Sequence, residues 1–344
     1  MRCESIVDPG TSEAGLLSWL SASENPAARY LTARDLLEPR PDSSVLDQLR
    51  SAISGWGPLR SILELQLADG GFPDHQKVRT ARPTIWALVL MERCGLDISD
   101  EPVARAVDYL ALRHGAGRPI SYTGSPSGVL PCYAGVATRT LISLGAIEHD
   151  LVQASLEWLV EHQRFDQRAL RAGGEADWPY RAPVNYGCWE SVSCYHGVAG
   201  AFRAFAAVPS SLRSPAVRER LDEAIAYLRL RRLYRKSTSD KPLFRHMTQP
   251  FLLGDYRSSL LDMLQGLADA DPTLAKEEWV RGSMEAMEAL TDEGRVPLVR
   301  NYGRALLDEV PLESVGEPSR LLTYQWVRVR RTLEAGAQGP TMGS

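Results

Sequence analysis

The sequence predicts an all-α fold in which helical hairpins form two concentric rings, an α/α toroid. Three observations support it: a duplicated hexapeptide that opens two apolar helices, an alternation of apolar with amphipathic helical segments, and the lack of any sustained strand alternation. Repeats with a long period are typical of helical arrays and rings. We therefore expect about six inner helices surrounded by about five or six outer helices.

The duplicated hexapeptide sets the register of the repeat. Residues 132–137 read Cys-Tyr-Ala-Gly-Val-Ala, and 62 positions later residues 194–199 read Cys-Tyr-His-Gly-Val-Ala. Each copy opens an apolar helical run, and a more amphipathic helix follows each, at 151–163 and 216–233. Comparable inner helices are predicted near the other parts of the ring, at 26–37, 83–94, 256–267 and 318–333.

The length of the repeat favours a closed ring over a straight solenoid. Its 62 residues exceed the ~34 to 47 residues of tetratricopeptide, HEAT and armadillo units. We expect one toroid domain over residues 25–335, preceded by an N-terminal segment, 1–24, and followed by a flexible tail, 336–344.

Composition excludes several classes of function. The chain has 344 residues, 44% of them hydrophobic, with a net charge of −4, so it lacks the basic balance of a nucleic-acid-binding protein. No apolar run approaches the ~20 residues of a membrane span. The N-terminus does not resemble a signal peptide, and five irregularly spaced cysteines do not form a disulfide framework. We expect a cytoplasmic protein, whose oligomeric state the sequence does not indicate.

Two segments resemble known toroidal enzymes. Residues 66–72, Gln-Leu-Ala-Asp-Gly-Gly-Phe, resemble the QW repeat of squalene–hopene cyclases and related terpenoid cyclases. The Gly-Val-Ala parts of the two hexapeptides resemble inner-helix starts in β-subunits of protein prenyltransferases. The resemblance implies an enzyme that binds an apolar or isoprenoid-like small molecule inside the barrel. It also implies cyclisation, isomerisation or group transfer, as in natural-product metabolism.

The motifs that drive catalysis in terpenoid cyclases are missing. Class II cyclases use the central aspartate of Asp-x-Asp-Asp as an acid, and class I cyclases bind magnesium through Asp-Asp-x-x-Asp. Neither motif occurs here. The nearest string, Asp-Ala-Asp-Pro at 269–272, lies where an inner helix ends, at the wrong end of the barrel. The usual cyclase mechanism therefore does not transfer to this chain.

A third resemblance is to lanthionine cyclases, toroids that bind zinc through Cys and a Cys-His-Gly segment. Residues 194–197, Cys-Tyr-His-Gly, carry one additional residue. Residues i and i+2 of a helix point about 200° apart. Cys194 and His196 could therefore share a metal only if the helix has not yet begun there.

The register of the repeat predicts an arc of residues at one end of the barrel. Parallel inner helices gather their N-termini, with partial positive charge, at that end. Cys132 and Cys194 occupy equivalent positions near it, and counting back from the end of the fifth inner helix reaches Asp255 or Tyr256. We expect these residues to surround the mouth of the cavity.

Three interpretations of the arc remain open. In one, the arc of Cys132, Cys194 and Asp255 binds zinc, with His196, Cys188 or His246 as a further ligand. In another, Asp255 is a general acid whose pKa is raised by an apolar cavity, and Cys132, Cys194 and His196 complete the catalytic set. In the third, both cysteines are small buried hydrophobic residues at helix starts.

Aromatic residues on or near the inner helices are the predicted substrate contacts. Their faces can stabilise a carbocation, although ordinary core packing explains them equally; they are Trp86, Tyr133, Trp189, Tyr195, Tyr256 and Tyr324. A small-residue patch, which includes Gly197 and Gly200, either leaves room for a ligand or allows close helix contact. The alternatives to a cyclase-like enzyme are a zinc-dependent thiol-activating enzyme and a non-catalytic toroid that binds a lipid or protein.

Overall fold

A computed structural model describes residues 12–74, 80–115, 118–165, 193–302 and 312–338. Apart from isolated bridges, the regular structure in these ranges is helical. The α-helices are α1 (Glu13–Ser21), α2 (Pro26–Asp35), α3 (Ser43–Ser54), α4 (Gly57–Leu63), α5 (Arg82–Arg93), α6 (Glu101–Leu110), α7 (Pro131–Ser143), α8 (Asp150–His162), α9 (Tyr195–Ala207), α10 (Pro215–Leu230), α11 (Leu260–Ala270), α12 (Glu278–Glu288) and α13 (Arg320–Gln338).

Six of these helices form a closed inner ring. Helix α5 packs on α7, α7 on α9, α9 on α11, α11 on α13 and α13 on α2. The remaining join is made by Gly95, just after α5, which contacts Tyr30 and Leu31 of α2. Helices α3, α6, α8, α10 and α12 alternate with the inner helices along the chain. This arrangement confirms the predicted α/α toroid.

Burial separates the two rings. Nearly every residue of α5, α7, α9 and α11 is buried, since these helices have neighbours on all sides. The outer helices bury one face only. In α3, for example, Leu46 and Ile53 are buried and most other residues face solvent.

Prolines and capping residues determine where the helices begin. Proline lies in the first turn of five helices, α2, α5, α6, α7 and α10. N–H groups in the first turn make no hydrogen bond within the helix, so the missing N–H of proline costs nothing there. Helix α11 begins at Leu260, not at 256 as predicted, because Ser259 and Asp262 form a capping box. Tyr256 therefore lies in the loop before the helix.

The closest approach between inner helices joins α7 and α9. A Cβ atom on Gly135 would lie 2.3 Å from the backbone carbon of Gly200, far inside van der Waals contact. Gly197 likewise contacts Pro131 and the side chain of Gln163. These glycines of the small-residue patch serve close helix packing.

Helix α1 completes the outer layer where the ring closes. Leu16 and Leu20 are fully buried. Glu13 binds Arg330 and Arg331 of α13 at 3.2 and 2.7 Å. Part of the segment 1–24 therefore packs against the toroid. No helix in the described part of the chain has the length and apolar character needed to cross a membrane.

Candidate active site

The carboxyl group of Asp255 lies at the centre of the candidate site. Its Oδ1 atom accepts hydrogen bonds from Trp86 Nε1 at 3.0 Å and from the Tyr133 hydroxyl at 2.8 Å. Its Oδ2 atom lies 3.6 Å from Nη1 of Arg257. The Asp255 side chain is 9% exposed. The first turns of α5 and α7 thus hold one carboxyl group that belongs to the loop before α11.

The backbone at Asp255 adopts an uncommon conformation. Its φ angle is +60°, a left-handed value that aspartate tolerates better than most residues. The preceding segment is held in place by Asn301, whose side-chain oxygen accepts from the N–H groups of Leu252 and Leu253. Residues in such conformations cluster at functional sites. The loop therefore presents Asp255 in a conformation maintained by its surroundings.

Burial raises the pKa of Asp255 above its ordinary value, although hydrogen bonds from Tyr133 and Trp86 and the charges of Arg82 and Arg257 act in the opposite direction. Two donors already occupy Oδ1, which leaves Oδ2 as the oxygen that carries a proton. A buried carboxyl with a raised pKa can donate that proton as a general acid.

Cations already lie over the aromatic rings of this site. The guanidinium of Arg82 lies 4.8 Å from the centre of the Trp86 ring. Arg257 lies between Tyr256 and Tyr302, at 4.4 and 4.6 Å from their ring centres. These ring faces are therefore oriented so that a positive charge beside them is stabilised.

Further aromatic rings extend from Asp255 to α9. Tyr133 contacts Tyr122 and Tyr256, with centroid distances of 5.0 and 5.6 Å. His196 contacts Tyr256 at 5.1 Å and stacks on Phe244 at 4.6 Å. The site is thus a shell of rings around one carboxyl group. The sequence did not predict five residues of this site: Arg82, Tyr122, Phe244, Arg257 and Tyr302. Of these, only Arg82 could have been found, because it directly precedes Pro83 at the start of a predicted inner helix.

Both histidines of the site are neutral at pH 7. Burial, then the charges of His246 and Arg257, lower the pKa of His196 to about 3. Burial and Arg257 lower the pKa of His246 to about 4. His246 Nε2 is buried and has no hydrogen-bond partner among the described residues. These rings therefore act as uncharged aromatic surfaces and not as acids.

Of the two cysteines of the predicted arc, Cys132 lies near this carboxyl group and Cys194 lies near Cys132. Cys132 is buried, and burial together with Cys194 and Asp255 raises the pKa of its thiol. A protonated thiol is a weak nucleophile and a weak metal ligand. Cys194 is the N-cap of α9, so the helix begins only after it. His196 is the second residue of this helix, so the side chains of Cys194 and His196 leave the backbone on the two sides of the helix start.

The described residues nevertheless do not fit a zinc site with three protein ligands. Within those ranges, no group of three His, Cys, Asp or Glu side chains is arranged to hold a metal ion. Cys188, a candidate further ligand, lies outside the described residues.

The predicted substrate contacts divide into separate groups. Trp86, Tyr133 and Tyr256 surround Asp255. The Tyr195 hydroxyl donates to the carbonyl of Leu233, just after outer helix α10. The Tyr324 hydroxyl donates to Asp35, and Tyr324, in the first half of α13, lines a different cavity. Trp189 lies outside the described residues.

Comparisons with known proteins do not assign the chain to a family. No protein-family model and no curated protein sequence matches the chain. Among solved structures, the chain is similar to a type II terpene cyclase from Scytonema, determined without a ligand. The identity is 14%, the match covers 94% of this chain and 99% of that chain, and the TM-score is 0.40. A likeness at this level carries no argument about the reaction.

Proposed function

We propose that the protein is an enzyme that protonates an isoprenoid-like alkene inside the barrel, with Asp255 as the proton donor, and so starts a cyclisation or an isomerisation. One observation carries the proposal: a buried carboxyl with a raised pKa, oriented through Oδ1 by Trp86 and Tyr133. The shell of aromatic rings around it is suited to an apolar substrate.

The proposed step balances in protons and charge. The Oδ2–H bond of Asp255 breaks, and the proton forms a C–H bond at one alkene carbon while the neighbouring carbon becomes cationic. The new carboxylate is stabilised by Trp86, Tyr133 and Arg257, which already lie at its oxygens. The cation is stabilised by a ring that Arg82 and Arg257 do not cover, such as that of Tyr133. The cation then loses a proton to solvent, which yields an isomer of the substrate, and the Asp255 carboxylate takes up a proton from solvent to restore the acid.

Deuterium incorporation tests this step directly. The purified protein is incubated in D2O with squalene, geranylgeraniol or geranylgeranyl diphosphate, and the products are analysed by mass spectrometry. We expect an isomer of the substrate that carries a carbon-bound deuterium. Asp255→Asn should abolish it, whereas the exposed Asp222→Asn serves as the matched control. A product without deuterium, or turnover unchanged by Asp255→Asn, contradicts the proposal. A polyene that binds but is returned unchanged favours a non-catalytic binding protein.

Zinc-dependent activation of a thiol is the second candidate; Cys194 lies before α9 and beside Cys132, and because the described residues supply no set of three ligands, this candidate requires Cys188 as a further ligand. Elemental analysis tests it. Stoichiometric zinc that is lost in Cys194→Ala supports this candidate, and protein that remains metal-free after incubation with zinc rejects it.

A further inference from the structure

A separate cavity of about 410 Å³ lies among the C-terminal ends of α2, α5, α7, α9 and α11 and the first half of α13. Its volume is within the ~300 to 1,000 Å³ of small-molecule pockets. Tyr133 at the Asp255 site and Ser143 at this cavity are ten residues apart on α7, or about 15 Å along the helix axis. Ser143 and Ser210 line the cavity and are exposed, so it opens to solvent on that side.

Arginines from several helices line this cavity. Three of them have carboxylate partners: Arg34 binds Asp35 at 2.7 Å, Arg139 binds Glu92 at 2.9 Å, and Arg93 binds Asp262 at 2.9 Å. Arg213 donates instead to backbone carbonyls at the ends of α9 and α11, including Ala206 and Ala270. Its charge therefore offsets the negative ends of those helices.

The remaining charges do not balance. Asp262 is shared, because buried Arg203 also binds it, at 3.3 Å. Arg328 lines the cavity and makes no side-chain hydrogen bond or ion pair within the described ranges. Asp269, the other acid of the lining, is buried; burial raises its pKa, and the charge of Arg328 acts in the opposite direction. Apart from Arg213, the lining arginines and their ion-pair partners supply five guanidinium groups, those of Arg34, Arg93, Arg139, Arg203 and Arg328, and four carboxyl groups, those of Asp35, Glu92, Asp262 and Asp269, so at least one guanidinium is unmatched.

Unused donors accompany this excess charge. Arg93 Nε is buried and has no hydrogen-bond partner in the described part of the protein. Only Nη1 of Arg139 binds Glu92. Buried donors and charges without partners are costly, and a planar guanidinium offers paired donors that match a phosphate or carboxylate. A ligand with more than one negative charge would satisfy both the charge and the donors.

We propose that this cavity binds a small molecule through a phosphoryl group, contacted by Arg328, Arg93 and Arg139. Either free phosphate or an organic phosphate supplies that chemistry. The site is distinct from Asp255 and does not depend on the function proposed there.

Isothermal titration calorimetry with inorganic phosphate, pyrophosphate and a monoalkyl phosphate tests the proposal. Arg328→Gln removes the unmatched guanidinium. Gln325→Glu keeps the side-chain size and adds a charge to the group that now accepts from Arg93 Nη1 at 2.7 Å. The added charge should pair with Arg93, so the fold should be retained. Arg60→Gln removes an exposed arginine from α4, outside the cavity, and is the matched control.

We expect saturable binding of at least one probe to the unmodified protein. Arg328→Gln and Gln325→Glu should each weaken it about tenfold or more, and Arg60→Gln should leave it unchanged. Tighter binding of the monoalkyl phosphate than of inorganic phosphate would indicate an organic ligand, and equal binding would indicate free phosphate. The absence of saturable binding by all three probes overturns the proposal, as does equal binding by all three variants.

Discussion

The Tyr133 hydroxyl donates a 2.8 Å hydrogen bond to Oδ1 of Asp255, a residue 122 positions further along the chain. Trp86, from the neighbouring inner helix, donates to the same oxygen. One carboxylate oxygen thus joins α5, α7 and the loop before α11. The other oxygen is left to face Arg257, and it is the one from which a proton can leave.

Replacing Tyr133 tests how this hydrogen bond acts on Asp255. A hydrogen bond to the ionised form lowers a pKa, so Tyr133→Phe should raise the pKa of Asp255 further. Hydrogen bonds to charged groups contribute about 1.5 to 3 kcal/mol, which predicts a rise of about 1 to 2 pKa units. NMR titration of the carboxyl carbon measures it. Tyr122→Phe, which alters a ring in contact with Tyr133, is the control and should leave the pKa nearly unchanged. An unchanged value in Tyr133→Phe would show that the bond does not stabilise the carboxylate.

The pH dependence of turnover tests the role of Asp255 as an acid. Burial raises the pKa of this group above its ordinary value of 3.8, and an acid acts only while it is protonated. We expect kcat/KM to be highest at low pH and to fall as pH rises through the raised pKa. Tyr133→Phe should move this decline to higher pH. Activity that increases with pH over the same range would instead indicate that the carboxylate acts as a base.

The neutral histidines should make the fold sensitive to acid. The pKa of His196 is 6.5 unfolded and about 3 folded, so between these values the unfolded chain binds a proton that the folded protein does not. The contribution of the neutral His196 to the free energy of unfolding is fully present above about pH 6.5 and is lost as pH falls towards 3. Between pH 7.5 and 5 the free energy of unfolding should decrease by about 2 kcal/mol on account of His196.

Urea unfolding at the two pH values measures this loss. His196→Phe should remove about half of the loss that the two histidines cause, because a phenyl ring can keep the stacking on Phe244 without binding a proton, while His246, whose pKa is also lowered to about 4, remains. His149→Asn is the control, since His149 caps α8 and asparagine preserves that role. An equal loss of stability in His196→Phe and in the unmodified protein would contradict the assignment.

The contact between α7 and α9 predicts opposite effects for two glycine substitutions. Gly135→Ala would place Cβ 2.3 Å from backbone atoms of Gly200, and overpacking of this kind costs about 1 to 3 kcal/mol or more. Gly282→Ala meets nothing within 4 Å in α12, and alanine should stabilise that helix by up to about 1 kcal/mol. Thermal or urea unfolding compares them. Equal effects at the two positions would show that the close approach is not needed.

The sequence was sufficient for the fold and for part of the site. The spacing of apolar residues indicates which face of each helix is buried, and prolines indicate where helices begin. Both signals come from residues close together in the chain, and they are sufficient to predict alternating inner and outer helices. The duplicated hexapeptide placed Cys132 and Cys194 at equivalent positions on neighbouring helices, and counting placed Asp255 beside them. The start of α11 was missed although its signal, Ser259 with Asp262, is present in the sequence.

Only the tertiary structure decided which side chains meet. Nothing in the sequence pairs Trp86 and Tyr133 with one oxygen of Asp255, or directs the Tyr324 hydroxyl to Asp35. The excess of guanidinium groups near Arg328 comes from several helices that are far apart in the chain. Periodicity is local and repeats every 3.6 residues, whereas these contacts depend on how neighbouring helices pack around the ring. The sequence therefore determined the ring of helices and the register of the repeat. The packing of the helices decided which side chains meet around Asp255 and in the cavity.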